Sequence, residues 1–222
     1  MFRNYFKVAV RNLSGNKVFS LINMLGLALG MGVCLLIYQY INFELSYDKF
    51  HINAENTYRI TQTFTNREDL KPSVYTTYAL GPRGKEMIPE IIDFVRIRPW
   101  EIEPVITNTE NNETHQEDKV WSADSDFLQM FNFPLKYGDP ESALQNKHSV
   151  VITEQMANKY FGDTFPIGKR LKVSLGITSG DFVVTGVLNK LPVNSHLQFD
   201  MLLPLAFLLE SHTFYRENDS NG

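Results

Sequence analysis

A single cysteine, Cys34, stands in the 222 residues, and it falls inside an apolar run. No disulfide can therefore form in the sequence that follows the run, which must be held together by core burial. Acids are missing from residues 1–17, which carry Arg3, Lys7, Arg11 and Lys17. Charge of either sign is missing between Val18 and Phe43. There is no HExxH and no GxSxG, so protease or esterase chemistry has no visible metal site or nucleophile. No stretch interleaves Lys/Arg with aromatics, which argues against nucleic acid as a partner. The one approach to a phosphate-binding loop, Gly162 to Arg170, has five residues between its glycines and Arg170 where Ser or Thr must meet Mg²⁺. It is not a P-loop, and no cofactor or metal site is expected.

What is present is organised around the uncharged run. As a helix rising about 1.5 Å per residue, Val18–Phe43 reaches roughly 39 Å, more than the ~30 Å hydrocarbon core of a bilayer. It reads as one transmembrane helix over 18–43. The run is about twice a usual signal-peptide core and no Ala-x-Ala-like site follows it, which favours an uncut anchor over a cleaved signal. The four basic residues before it leave 17 for the rest of the chain, against all 25 acidic residues. By the positive-inside rule the N-terminus is expected in the cytoplasm and the large domain, 44–222, outside.

Phe2–Leu13 places Phe2, Phe6, Ala9 and Leu13 at helical spacing, with Arg3, Lys7 and Arg11 forming a basic stripe of their own. Such a helix suits the surface of an anionic leaflet, so Arg3, Lys7, Arg11 and Lys17 are expected at the membrane interface and lipid is an expected partner. Inside the span, Gly26 and Gly30 form a GxxxG with Asn23 one turn before, and Ala28 and Gly32 repeat the spacing one face over. Small surfaces let another helix approach closely. Asn23, Gly26, Ala28, Gly30 and Gly32 are expected to pack against further helices.

The outer sequence alternates strand and helix patterns. Strands are expected over Tyr58–Phe64, Phe94–Ile97, Ile102–Ile106, Val120–Trp121, Val150–Ile152, Arg170–Ser174, Phe182–Val187 and Leu197–Leu203, with a turn at Ser179-Gly180. Helical segments are expected over Pro82–Met87 and Asp126–Phe131, and over Glu154–Phe161 with Thr153 as N-cap and Gly162 as stop. Asn108–Lys119 is polar without periodicity and reads as a loop or hairpin tip, His115 included. Glu101 and Glu103 read as exposed strand residues. His51, His148, His196 and His212 have no partner in sequence and read as structural or solvated.

A set of short signatures then follows in order. They are the opening FRNYFKVAVRNLSGNKVFSLINMLGLALG, Pro89-Glu90, Asp126-Phe127, Phe131-Asn132-Phe133-Pro134-Leu135, Gly138-Asp139-Pro140 and Ala143-Leu144. They continue with Val150-Val151-Ile152-Thr153, Ala157, Phe161-Gly162-Asp163, Ile167-Gly168-Lys169, Val184-Thr185-Gly186-Val187 and Leu191-Pro192-Val193-Asn194-Ser195-His196. In this order the chain resembles the FtsX-like permeases of ABC transporters that carry a MacB-type periplasmic core domain. The resemblance implies a membrane-anchored α+β protein: one N-terminal transmembrane helix, then a mixed α/β extracytoplasmic domain, a porter-like subdomain with a β-rich subdomain inserted.

It also implies a non-enzymatic permease subunit of the bacterial inner membrane, coupling ATP hydrolysis on a separate ABC-type ATPase to motion of its outer domain, for export, efflux or mechanotransmission. A second permease copy or paralogue and a periplasmic partner are further implied. Such permeases carry three more helices, whereas the last apolar run, Met201–Leu209, contains Pro204 and is too short to span. The chain is therefore expected to be the N-terminal portion of a permease. The alternatives are a single-span sensor or interaction module, and a membrane-anchored enzyme, for which no catalytic cluster is visible.

Overall fold

The computed structural model describes residues 2–63, 72–175 and 178–211. It divides into two units, Met1–Tyr47 and Asp48–Gly222.

The first unit is two helices, α1 (Phe2–Gly15) and α2 (Lys17–Glu44), with Asn16 between them. Neither buries a side chain. An apolar helix of 28 residues with no covering surface is in its lowest free-energy state in lipid, and α2 is the one described helix long and apolar enough to cross a membrane. At its C-terminal end Phe43 and Tyr47 meet edge to face, with ring centroids 5.5 Å apart.

The second unit is built on one mixed sheet. Its strands are β1 (Ile97–Pro99), β2 (Val105–Asn108), β3 (Thr114–Gln116), β4 (Val120–Ala123), β5 (Leu135–Tyr137), β6 (Ser149–Thr153), β7 (Arg170–Leu175), β8 (Thr178–Leu188) and β9 (Met201–Pro204). The order is β1-β4-β9-β6-β8-β7-β2-β3. Long β8 has β6 along one edge, and on the other edge β7 pairs with its first half and β5 with its last residues. The sheet is thus a mixed half around β6, where β4–β9 and β6–β8 run parallel, and an antiparallel half of β8, β7, β2 and β3. The helices of this unit are α3 (Leu80–Met87), α4 (Phe127–Met130), α5 (Glu154–Phe161) and α6 (Leu205–Ser211).

The core follows the two-residue period of strands. Val150, Ile152, Met201 and Leu203 face one cluster together with Met156, Tyr160, Phe161, Phe182 and Phe207. Val151 and Leu202 face the other, with Phe127, Phe133, Leu144 and Phe199. Strand β6 is buried at all five positions, which is why it reads as the uninterrupted run SVVIT. Each such buried Val, Leu or Phe contributes about 1.5–3 kcal/mol.

The expected α5 is observed with both caps. Thr153 Oγ1 accepts from the Met156 N–H, and Gly162, at φ 57°, donates its N–H to the Asn158 carbonyl. Gly138 matters for a different reason. It sits at φ 98°, and a Cβ there would lie 2.4 Å from the Thr185 carbonyl, where a bulge shifts the β6–β8 register. Only glycine lets β5 come this close.

Several expected elements shift. Tyr58–Thr63 form no strand beyond a single bridge, Gln62 to Ser73, and Tyr58 and Ile60 stay exposed; Phe64 lies outside the described residues. Of Phe94–Ile97 only Ile97 pairs, because the Phe94 and Arg96 N–H groups are taken by the carboxylates of Asp93 and Asp124. The strand sought at 102–106 starts at Val105, after Pro104, which has no N–H to give a ladder. The strand sought at 197–203 starts at Met201, since the Leu197 N–H goes to Ser195 Oγ. Ser179 and Gly180 are not a turn: both pair with β7, and the Phe207 ring packs where a Gly180 side chain would stand. Asn108–Lys119 is a hairpin tip with β3 as its returning strand.

Candidate functional site

On α2 Asn23, Gly26, Ala28, Gly30 and Gly32 are all unburied, and the space around Gly26, Gly30 and Gly32 is open. At about 100° per residue, Asn23, Gly26 and Gly30 fall within roughly 60° of one another. Ala28 and Gly32 fall nearly opposite rather than one face over. The helix therefore carries small residues on two separate faces. Arg3, Lys7 and Arg11 line one side of α1, Lys17 opens α2, and all four are exposed.

The second feature opens the outer unit. Asp48 adopts the left-handed backbone region, φ 54°, a conformation that Asp tolerates better than most residues. This turns its carboxylate onto the loop that precedes β9. Oδ1 accepts from Ser195 Oγ at 2.7 Å and from the His196 N–H at 3.2 Å, and Oδ2 meets His196 Nδ1 at 2.6 Å. The Asp48 N–H donates to the Asn194 carbonyl at 3.0 Å. Burial alone raises the Asp48 pKa, but the hydrogen bonds from Ser195 and His196, with the charge of His196, outweigh it and hold the carboxyl below its ordinary value.

His51 lies one turn further on. It is 6% exposed, with Nε2 3.9 Å from Asp48 Oδ1, and neither ring nitrogen has a hydrogen-bond partner. Burial lowers its pKa, against the pull of Asp48, so the ring is held neutral. The neighbouring Ile52 N–H donates to Asn132 Oδ1, which ties this turn to the segment after α4.

A third feature is an open groove of about 440 Å³ beside the β2–β3 hairpin, lined by Asn108, Glu110, Glu113, Lys159, Tyr160 and Lys169 among others. Its charges are satisfied internally. Lys169 pairs with Glu110 at 2.5 Å, Lys159 with Glu117 at 2.8 Å, and His115 with Glu113 at 2.9 Å. Among the described residues no group of His, Cys, Asp and Glu is arranged to hold a metal. Glu101 and Glu103 are exposed and belong to no strand. Gly162–Arg170 joins the end of a helix to the start of a strand, the reverse of the strand–loop–helix context of a phosphate loop.

The model of the MacB-like periplasmic core domain matches residues 20–221. The chain belongs to this family. MacB-like domains of this kind are parts of ABC-type transporter permeases, and this one stands behind a helix fit to anchor it. Among solved structures, a domain from a protein named as a permease in Porphyromonas gingivalis is 30% identical, with a TM-score of 0.48, over 58% of this chain and 57% of that one. The periplasmic region of MacB from Actinobacillus actinomycetemcomitans is 14% identical, with a TM-score of 0.45, over 69% and 66%. The extracellular domain of the noncanonic ABC-type transporter YknZ from Gram-positive bacteria is 20% identical, with a TM-score of 0.42, over 58% and 63%. The chain thus spans about three-fifths of the solved chains it matches. Comparison with curated proteins finds no match.

Sequence reading leaves His51 and His196 as isolated histidines. In the MacB-like domain both meet Asp48, and His212 lies outside the described residues. The signal available was the quoted motifs themselves: Phe131-Asn132-Phe133 and Asn194-Ser195-His196 are the segments that converge on the turn Asp48–Ile52.

Proposed function

We propose that the chain is the first membrane helix and outer domain of an ABC-type permease subunit, working with a separate ATPase that closes below the membrane and moves the outer domain above it. Membership of the MacB-like periplasmic core family over residues 20–221 carries this reading. The charge asymmetry about α2 supports a cytoplasmic N-terminus and an outer domain on the periplasmic side of the bacterial inner membrane. The two small-residue surfaces of α2 are suited to receiving the remaining helices of such a subunit, and a second permease copy or paralogue beyond them. Arg3, Lys7, Arg11 and Lys17 meet the anionic headgroups of the cytoplasmic leaflet. The domain itself is non-enzymatic and acts mechanically, in efflux or in transmitting force to a periplasmic partner.

The decisive experiment is affinity capture of the full-length natural protein from membranes. Co-recovery of a P-loop ATPase is expected. Repeated capture without one would favour a single-span sensor or interaction module instead.

A further inference from the structure

His51 occupies a cage that a phenylalanine would fill at lower cost. Its ring packs against Phe50, Phe133 and Phe131 at centroid distances of 4.0, 5.2 and 5.3 Å. A neutral imidazole carries one donor and one acceptor, and neither is satisfied here. A buried polar group with no partner is uncommon and calls for a reason beyond packing. The reason lies 3.9 Å away, at the carboxylate that fastens the start of the outer unit to the loop before β9.

The groups facing this histidine can be named element by element. Its own turn presents Asp48. The loop 194–196 presents His196, bonded to the far carboxylate oxygen of Asp48, and the Ser195 hydroxyl on the near one. The 131–133 segment presents two rings and the Asn132 amide, whose Oδ1 is engaged by the Ile52 N–H. Asp48 is thus the charge that acts on His51.

We propose that Asp48, His51, Ser195 and His196 form an acid-sensitive latch, in which protonation of His51 draws Asp48 Oδ1 toward its ring, breaks the bond from the His196 N–H and loosens the loop before β9. An imidazolium between three phenyl rings is tolerated only if it is paired. Asp48 Oδ1 already accepts two hydrogen bonds, about the capacity of its lone pairs. A third donor closing from 3.9 Å displaces one of them, and the weaker is the 3.2 Å bond from the His196 N–H. His196 stands between Ser195 and Leu197, whose N–H donates to Ser195 Oγ at 3.2 Å, so the loosening falls within the loop that leads to β9. The proton comes from solvent outside the membrane, and no other reactant is needed. The latch rests on the geometry of the outer unit alone and stands whether or not an ATPase partner is recovered.

The test is amide hydrogen exchange on the full chain in lipid nanodiscs at pH 7.5 and 5.5, corrected for intrinsic exchange. In the wild type, protection at Asp48, whose N–H is held by Asn194, and at His196 is expected to fall at least five-fold at the lower pH. His51→Phe should keep the higher protection at both pH values, and Asp48→Asn should show the lower at both. A wild type that does not change, or a His51→Phe variant that loses protection equally, overturns the latch. If His51→Phe does not fold, ¹⁵N NMR of the wild-type histidine rings decides. A His51 protonation midpoint that coincides with the loss of protection supports the latch, and a ring still neutral where protection has gone overturns it.

Discussion

Tyr160 Oη donates to Glu117 Oε1 across 2.5 Å, joining the last turn of α5 to the chain just after β3. Glu117 is 5% exposed, and the same oxygen also accepts from Lys159 Nζ. Burial first, then the hydrogen bond and charge of Glu117, push the Tyr160 phenol far above its ordinary value, so it remains a donor at any pH the protein meets. Tyr160→Phe leaves a buried carboxylate short of a donor and should cost about 1.5–3 kcal/mol. Urea unfolding of the outer domain should show a lower midpoint with an unchanged slope.

Acid should weaken the outer domain in two windows. His51 has its folded pKa below the ordinary 6.5, so the unfolded state binds the proton first and stability falls as pH drops below about 6.5, levelling once the folded group titrates. Asp48 has its folded pKa below 3.8; the stability it contributes is present above that value and is lost as pH falls through the folded one. Unfolding midpoints measured from pH 7.5 to 3 should therefore fall in two steps. Asp48→Asn should shrink the lower step, to which Asp93, paired with Lys85, and Glu113, paired with His115, also contribute.

Gly138→Ala should be among the most damaging single-methyl additions in the chain. The left-handed backbone costs an L-residue about 1–2 kcal/mol, and the added carbon meets the Thr185 carbonyl at 2.4 Å, a backbone atom that cannot swing away. The sum should exceed about 2 kcal/mol. A thermal melt would register it, and a wild-type midpoint would mean that β5 can lift from β8 without loss.

The basic stripe of α1 should bind anionic lipid. A peptide of residues 1–17 is expected to partition into vesicles containing phosphatidylglycerol and to lose about 1 kcal/mol, roughly five-fold, for each of Arg3, Lys7 and Arg11 changed to Ala. Binding that ignores either salt or lipid charge would count against the interfacial placement of these residues.

Much of the architecture was legible because its signals are local. The α5 helix carries its cap, its apolar face and its stop within ten residues, and β6 declares its double burial in five. Where side chains intercept backbone donors, local pattern misleads, as at Arg96 and Leu197. The Asp48 junction was illegible for another reason. Its bonds join residues 147 and 148 positions apart, and Ile52 reaches Asn132 across 80, so no window of sequence contains both partners. The isolated look of each histidine is a property of the chain and not of the fold.

The place of β9 also constrains the order in which the domain can be made. Its four residues, Met201–Pro204, are the last strand among the described residues yet lie between β4 and β6 inside the sheet. Until they emerge, β4 and β6 each have an open, apolar edge, the kind of surface that pairs with other chains. A nascent chain must therefore hold β4 and β6 in a half-closed state and then insert β9 between them, a step of high contact order that makes folding slow. A chaperone that binds open strand edges would find its substrate at that moment.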